Sequence, residues 1–286
     1  YTEMVHDGYH NVEGGMYRIV EGLLREAEKA GIKIHYNVRI TGFEASGRRN
    51  RAFTDSDGRR WEGDLFVVNA DAAMFRGRVF RRSAFSDEKL DRMQWTLAPF
   101  TMYLGVKGRM ENIHHHNYFL GDRDYEPYSK GIFRNRVSLE KPYYYVNANA
   151  IFNPQSAPPG CENLFILVPV PDLRFKPDWS DRERIADAVI SDLSVRTGHD
   201  IEANLMTRVV LDPVNWQNMF GLYRGSGLGL GHKMTQVGGF RPANRDETFS
   251  NVWYTGASTV PGTGLPMVMI SSKLTVQRID HEVDSI

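Results

Sequence analysis

The chain has 286 residues, with 35 basic and 35 acidic side chains and a single cysteine, Cys161. That length supports a sizeable core or two packed lobes. The even charge gives no electrostatic basis for binding nucleic acid. One cysteine excludes a disulfide framework and a thiolate metal cluster, and fits a reducing, cytoplasmic setting. No apolar run approaches the ~20 residues that span a bilayer, and no signal-peptide pattern is evident.

Residues 1–11 have neither an initiating Met nor the form of a native N-terminus. Gly14-Gly15 then opens a predicted helix, with Met16, Ile19, Val20, Leu23, Leu24 and Ala27 at helical spacing and Gly31 as its stop. Residues 32–43 alternate as a strand. Asp57-Gly58, between two polar-apolar runs, predicts a hairpin. Leu65, Phe66, Val67 and Val68 form a continuous apolar run, read as a buried parallel strand that Asn69-Ala70-Asp71 ends. These elements together predict an α/β layer closed by a β-meander.

Residues 75–93 are polar and Arg-rich, with a short helix predicted over 86–93. From Pro99 the style changes. Residues 100–106, 117–120, 143–152 and 164–170 are strand candidates rich in Tyr, Phe and Val, separated by proline-bearing loops. Ser180 and Glu183 read as a capping box for a helix that carries Ile185, Ala188, Val189 and Leu193 on one face and ends near Gly198. Residues 204–211 read as another strand, 212–220 as irregular or helical, and 221–239 as glycine-rich.

The last stretch is the most informative. Val252-Trp253-Tyr254 reads as a buried strand, Gly256 ends it, and Pro261, Gly262, Gly264 and Pro266 punctuate a tight loop before a helix over 267–279. A strand, a glycine-rich turn and a helix start leave backbone N–H groups pointing outward, where a phosphate or an electron-rich ring can dock. By pattern alone, such a turn equally well just closes a β-α unit. Fold class is therefore α/β (α+β): an α/β lobe of residues 1–75 and 238–286, with a mostly antiparallel sheet lobe of 76–237 inserted in it, helices packed against it.

Other candidates carry less. His114, His115 and His116 cannot all face one ion from a strand, so a surface or strand-edge role is expected and no metal site. The acidic run Asp178, Asp181, Glu183 and Asp187 suits a solvated helix start. G-x-S-x-G is absent, and Cys161 sits in a Pro/Gly turn. Arg241, Asn244, Arg245 and Asp246 are either a polar loop or a positioning element beside a cofactor. Neither G-x-G-x-x-G after a strand nor G-x-x-x-x-G-K-[ST] occurs.

Phe240-Arg241-Pro242, Asn244-Arg245-Asp246, Gly256-Ala257-Ser258-Thr259 and residues 261–266 resemble the C-terminal signature of bacterial phytoene desaturases and related carotenoid dehydrogenases. These are FAD enzymes of the amine-oxidase-like flavoprotein superfamily. Gly14-Gly15-Met16, Asn37-Val38-Arg39, Asp57-Gly58, Val68-Asn69-Ala70-Asp71, Pro159-Gly160 and residues 167–171 match as well, in order. Ser258 and Met267 depart from the more usual glycines. The family's N-terminal dinucleotide-binding unit and much of its helical substrate-binding segment are missing, so the chain is expected to be the C-terminal portion of a longer enzyme.

The resemblance implies an FAD-dependent dehydrogenation of a phytoene-like polyene by hydride transfer to flavin. It implies cofactor contacts at Val38 (adenine end), at Asn69, Ala70 and Asp71, at Gly256, Ala257 and Ser258 (pyrophosphate and ribityl chain), and at Gly264, Leu265, Pro266, Met267 and Val268 (flavin ring). It names no catalytic base. Tyr103, Phe119 and Tyr145 are candidates to line an apolar tunnel. A carotenoid substrate implies peripheral membrane contact, for which Arg76, Arg78, Arg81 and Arg82 with Phe75, Phe80 and Phe85 form one candidate face. A carotenoid ketolase, a retinol-saturase-like enzyme and a non-catalytic apolar-ligand module stand as alternatives. Exposed apolar surface on the portion present predicts self-association.

Overall fold

The computed structural model describes residues 10–121, 125–133 and 141–283. In chain order its helices and strands are α1 (Tyr17–Lys29), β1 (Ile40–Ser46), β2 (Arg49–Asp55), β3 (Arg60–Glu62), β4 (Phe66–Val68), α2 (Ala72–Arg78), α3 (Asp87–Asp91), β5 (Ala98–Lys107), β6 (His116–Phe119), α4 (Tyr125–Ile132), β7 (Tyr144–Ala148), α5 (Asn149–Phe152), β8 (Cys161–Val170), α6 (Arg182–Thr197), β9 (Leu205–Leu211), α7 (Pro213–Phe220), β10 (Val252–Tyr254) and α8 (Leu265–Val283). The mixed α/β class is as expected from the sequence.

Three sheets organise these elements. Strands β1-β2-β3 form an antiparallel meander, and β6-β7-β8-β5-β9 form the large antiparallel sheet. The predicted parallel strand is confirmed: β4 pairs in parallel with β10, Val68 opposite Tyr254. This pairing joins residues 66–68 to residues 252–254 across everything between them.

The large sheet follows period-two chemistry. Phe100, Met102, Leu104 and Val106 of β5, with Leu164, Ile166 and Val168 of β8, point to one face and are buried. Ile185, Ala186, Val189, Ile190 and Leu193 of α6 cover that face. Gly198, at φ 71°, ends α6. The opposite face presents Tyr118 beside Tyr145 and Tyr103 beside Phe165, with ring centroids 5.2 Å and 5.3 Å apart.

Several expectations are corrected. Residues 32–39 are not a strand: Asn37 adopts φ 58°, which breaks the extended backbone, and the strand begins only at Ile40. Ile32, Ile34 and Tyr36 are consequently exposed, as is much of the apolar face of α1. In β4, Val67 is half exposed although Val68 is buried. Residues 149–152 form α5 and do not extend β7. The capping box at α6 does not form, because Ser180 Oγ donates to Asp178 Oδ2 at 2.8 Å and Asp181 occupies the N-cap. Helix α7 carries such a box, between Asp212 and Asn215.

Phe119 does not lie on the open face; it stacks on Tyr144 at 5.0 Å and packs toward the core. The candidate membrane face is divided: Arg78 and Arg81 are exposed, and the other members are buried or half-buried. Phe75, Phe80 and Arg76 are buried, with the Arg76 guanidinium 3.7 Å from the centroid of the Tyr254 ring. Arg82 is tied to Asp246 at 2.5 Å and to Glu247. No helix among the described residues is long and apolar enough to cross a membrane.

Candidate functional site

Strands β4 and β10 run in parallel, so their C-terminal ends open on the same edge. In open α/β sheets, ligands bind beyond that edge. Asn69, Ala70 and Asp71 leave β4 there, and Gly256, Ala257 and Ser258 leave β10 beside them. The two turns touch. Ser258 Oγ accepts the Ala72 N–H at 2.6 Å, and Gly256, at φ 97°, passes so close to Asn69 that a Cβ would overlap its Oδ1. The Gly256 N–H donates to Ser271 Oγ of α8 at 3.0 Å, which seats the first turns of that helix on the loop.

Asp71 caps α2 by accepting the Met74 N–H at Oδ1, 2.8 Å. Its Oδ2 is buried and has no hydrogen-bond partner. Burial pushes the carboxyl up to about 6, against the pull of the Met74 and Ala73 amides and of Arg241. Gly229 passes this oxygen at a distance where a Cβ would stand 3.1 Å away.

The loop is held by groups that read from sequence only as polar. The buried Arg241 guanidinium donates to five carbonyls, those of Leu230, Gly231, Gln236, Ala257 and Thr259, at 2.7 to 3.3 Å. Asn244, also buried, donates to the Tyr254 and Val260 carbonyls and to Thr275 Oγ1, and accepts from Arg278. Arg241 and Asn244 are thus positioning groups for the loop. Among the described residues, the amides of Thr263, Gly264 and Leu265, at the head of α8, donate to no protein acceptor.

The structure brings Asn69, Ala70, Asp71, Gly256, Ala257 and Ser258 to one edge and puts Gly264, Leu265, Pro266, Met267 and Val268 at the start of the helix seated on it. Val38 lies elsewhere, in a groove of about 420 Å3 with His35, Trp61 and Phe66.

A second concavity, of about 690 Å3, lies on the open face of the large sheet. Tyr103 and Tyr145 line it, and so do His115 and His116. His116 is exposed and opens β6, an edge strand, in line with the surface or strand-edge role expected of these histidines. Gly14 N–H donates to Asn153 Oδ1 at 2.9 Å, which docks the start of α1 beside this concavity. No group of three or more His, Cys, Asp or Glu among the described residues could hold a metal ion.

No protein-family model matches the chain. Its homologues are phytoene and diapophytoene desaturases. A zeta-carotene-forming phytoene desaturase of Myxococcus xanthus is 34% identical over 269 residues, 93% of this chain and 52% of the relative. A lycopene-forming phytoene desaturase of a Paracoccus species is 28% identical over 93% of this chain and 54% of the relative. A 4,4'-diapophytoene desaturase of Staphylococcus haemolyticus is 27% identical over 99% of this chain and 58% of the relative. The chain therefore spans about half the length of the curated relatives it matches. Among solved structures, an oxidoreductase from Methanosarcina mazei superimposes with a TM-score of 0.61 at 16% identity, over 93% of this chain and 55% of that one. A putrescine oxidase superimposes at 0.57 with 11% identity, over 96% and 54%. At such identities the likeness speaks for the fold alone.

Proposed function

We propose that the protein is a flavin-dependent carotenoid desaturase, of which this chain supplies part of the cofactor cradle and the wall of the substrate site. The observation that carries this reading is the 34% identity, sustained over nearly the whole chain, to a zeta-carotene-forming phytoene desaturase. Residues 1–75 and 238–286 would serve the FAD and residues 76–237 the polyene.

The residues at the β4/β10 edge fit a flavin nucleotide. The free amides of Thr263, Gly264 and Leu265 stand at a helix N-terminus, where backbone N–H groups and the helix dipole favour an anionic or electron-rich group. Gly256 leaves no room for a side chain beside Asn69. The partnerless Asp71 Oδ2 is an acceptor that a ribityl or ribose hydroxyl would satisfy. Val38 and Trp61, in their own groove, suit the adenine end. When bound, oxidised flavin supplies a hydride acceptor.

The chain's own groups then do three things. Amides at the head of α8 would stabilise negative charge on a bound flavin. Arg241 and Asn244 keep the loop in the shape that presents those amides. Tyr103, Phe165 and Tyr145 offer an apolar wall that orients a polyene and keeps water from it. A hydrocarbon substrate implies a protein that works at a membrane surface, with the contact residues on another face than Arg76 and Phe80.

The test is the complete gene product in phytoene-accumulating cells. Purified protein is expected to carry flavin absorbance, and the cells to gain polyenes with more conjugated double bonds. A colourless protein and unchanged phytoene overturn the reading. A second reading, an apolar-ligand module that self-associates, is favoured by the exposed Met16, Val20, Leu23, Ile32 and Tyr36. Light scattering separates it: the residues 1–286 alone are expected to associate and to bind FAD only weakly.

A further inference from the structure

The concavity on the large sheet has a lining that limits its chemistry. Among its described residues there is no carboxylate, lysine or arginine; the ionisable side chains are His10, His115, His116, Tyr103 and Tyr145. Among those residues, a reaction on this face that releases a proton has only imidazole and phenol to receive it.

Two of these groups form a pair. His116 Nδ1 lies 2.6 Å from Tyr145 Oη, and the ring planes are 23° apart. Asn147, which faces His116 across the β6/β7 register, places its Nδ2 3.4 Å from the same ring nitrogen. Asn147 Nδ2 also donates to the His115 carbonyl, at 3.2 Å. With the ring proton on Nε2, Nδ1 is the acceptor and the Tyr145 hydroxyl donates to it. This leaves the lone pairs of Tyr145 Oη for whatever occupies the cavity. Burial holds Tyr145 above the ordinary phenol range, so the hydroxyl is protonated at neutral pH. Burial, helped by His116, holds His115 below the ordinary imidazole range, which keeps it a neutral neighbour. The rings of His115 and His116 are 4.1 Å apart, those of Tyr118 and Tyr145 5.2 Å.

We propose that Tyr145 and His116 are the proton acceptor of the dehydrogenation, a role that rests on the function proposed above. One carbon of the saturated C–C bond loses a hydride to oxidised flavin. The adjacent carbon loses a proton to Tyr145 Oη, while the phenolic proton moves to His116 Nδ1. The electrons of that second C–H bond become the new C=C bond, the hydride pair reduces the flavin, and the imidazolium returns one proton to water. Tyr145 touches the substrate; His116 and Asn147 position and discharge it. A phenol alone is too weak a base, and the imidazole behind it removes that obstacle, as in other relayed proton transfers.

The tests use Tyr145→Phe, which keeps the ring on the aromatic wall, and His116→Gln, which keeps hydrogen-bonding capacity without titration. In the complete gene product supplied with phytoene in phospholipid vesicles, each is expected to lower kcat by about 100-fold or more with little change in KM. Independently of flavin, nitrogen NMR of the histidine rings is expected to find His116 protonated at Nε2, with a shift at Nδ1 that Tyr145→Phe abolishes. Wild-type protein that desaturates while Tyr145→Phe keeps its kcat overturns the relay alone, as does a His116 ring protonated at Nδ1. Wild-type protein that never desaturates overturns the relay together with the function it serves.

Discussion

The large sheet and the β4/β10 edge are built on different principles. The sheet is held by packing: alternate residues of β5, β7 and β8 meet α6 in a continuous apolar core. The parallel pair has only three residues in each strand, and Val67 is half exposed. What shapes its loop is polar and buried: Arg241 on five carbonyls, Asn244 on the two flanks of the turn, Arg76 on the Tyr254 ring. The lesson is one of division of labour. A scaffold that must only be rigid can use apolar area, whereas a loop that must present bare amides needs its other carbonyls and amides satisfied from behind.

Three substitutions probe that contrast. The largest effect is expected from Arg241→Met, which leaves five carbonyls without their donor and should cost on the order of 4 kcal/mol. Urea unfolding followed at the fluorine NMR resonance of Trp253 in 5-fluorotryptophan-labelled protein should register it, while far-ultraviolet circular dichroism of the large sheet persists to higher denaturant. A single shared transition would erase the distinction between the two regions. Leu164→Ala, in the sheet core, should cost about 2–5 kcal/mol and shift the circular dichroism transition. Equal movement of the Trp253 signal would again argue for one cooperative unit.

The smallest effect concerns Asp71 and depends on pH. Its carboxyl sits at about 6 in the fold, against about 3.9 in an unfolded chain. The folded state binds that proton more tightly, so the contribution to stability is complete below the unfolded value and is lost as pH rises through about 6. Asp71→Asn keeps the helix cap and removes the charge. It should match the parent near pH 4 and exceed it at pH 7 by up to about 2–3 kcal/mol. Thermal denaturation of both proteins at the two pH values checks this. An advantage that is constant with pH would show that Asp71 is ionised in the fold without penalty.

Legibility followed the range of the forces. Residues 100–106 read correctly as a strand from their composition, and Asp57-Gly58 as the turn of a hairpin, because both signals are local. Val252 to Tyr254 read correctly as buried, and the helix after Pro266 read correctly as well. Asn37 was a break the alternation concealed: asparagine is among the residues that most readily take a left-handed backbone, and here it sits at φ 58°. Arg241 was ambiguous because its partners lie on two separate stretches, 230–236 and 257–259, that meet only in the fold. The pairing of His116 with Tyr145 depends on the register between β6 and β7, which no single stretch encodes. The arginine run of 76–82 divides for a related reason: Arg76 and Arg82 were drawn inside by Tyr254, Asp246 and Glu247, while Arg78 and Arg81 stay exposed.

The parallel pairing of β4 with β10 also orders events on the ribosome. Strand β4 leaves the ribosome before β10, with the whole large sheet between them, so that sheet can fold while β4 still waits for its mate. Throughout that interval Phe66 and Val68 are nascent sticky surface, and a chaperone that shelters them would set the yield of usable protein.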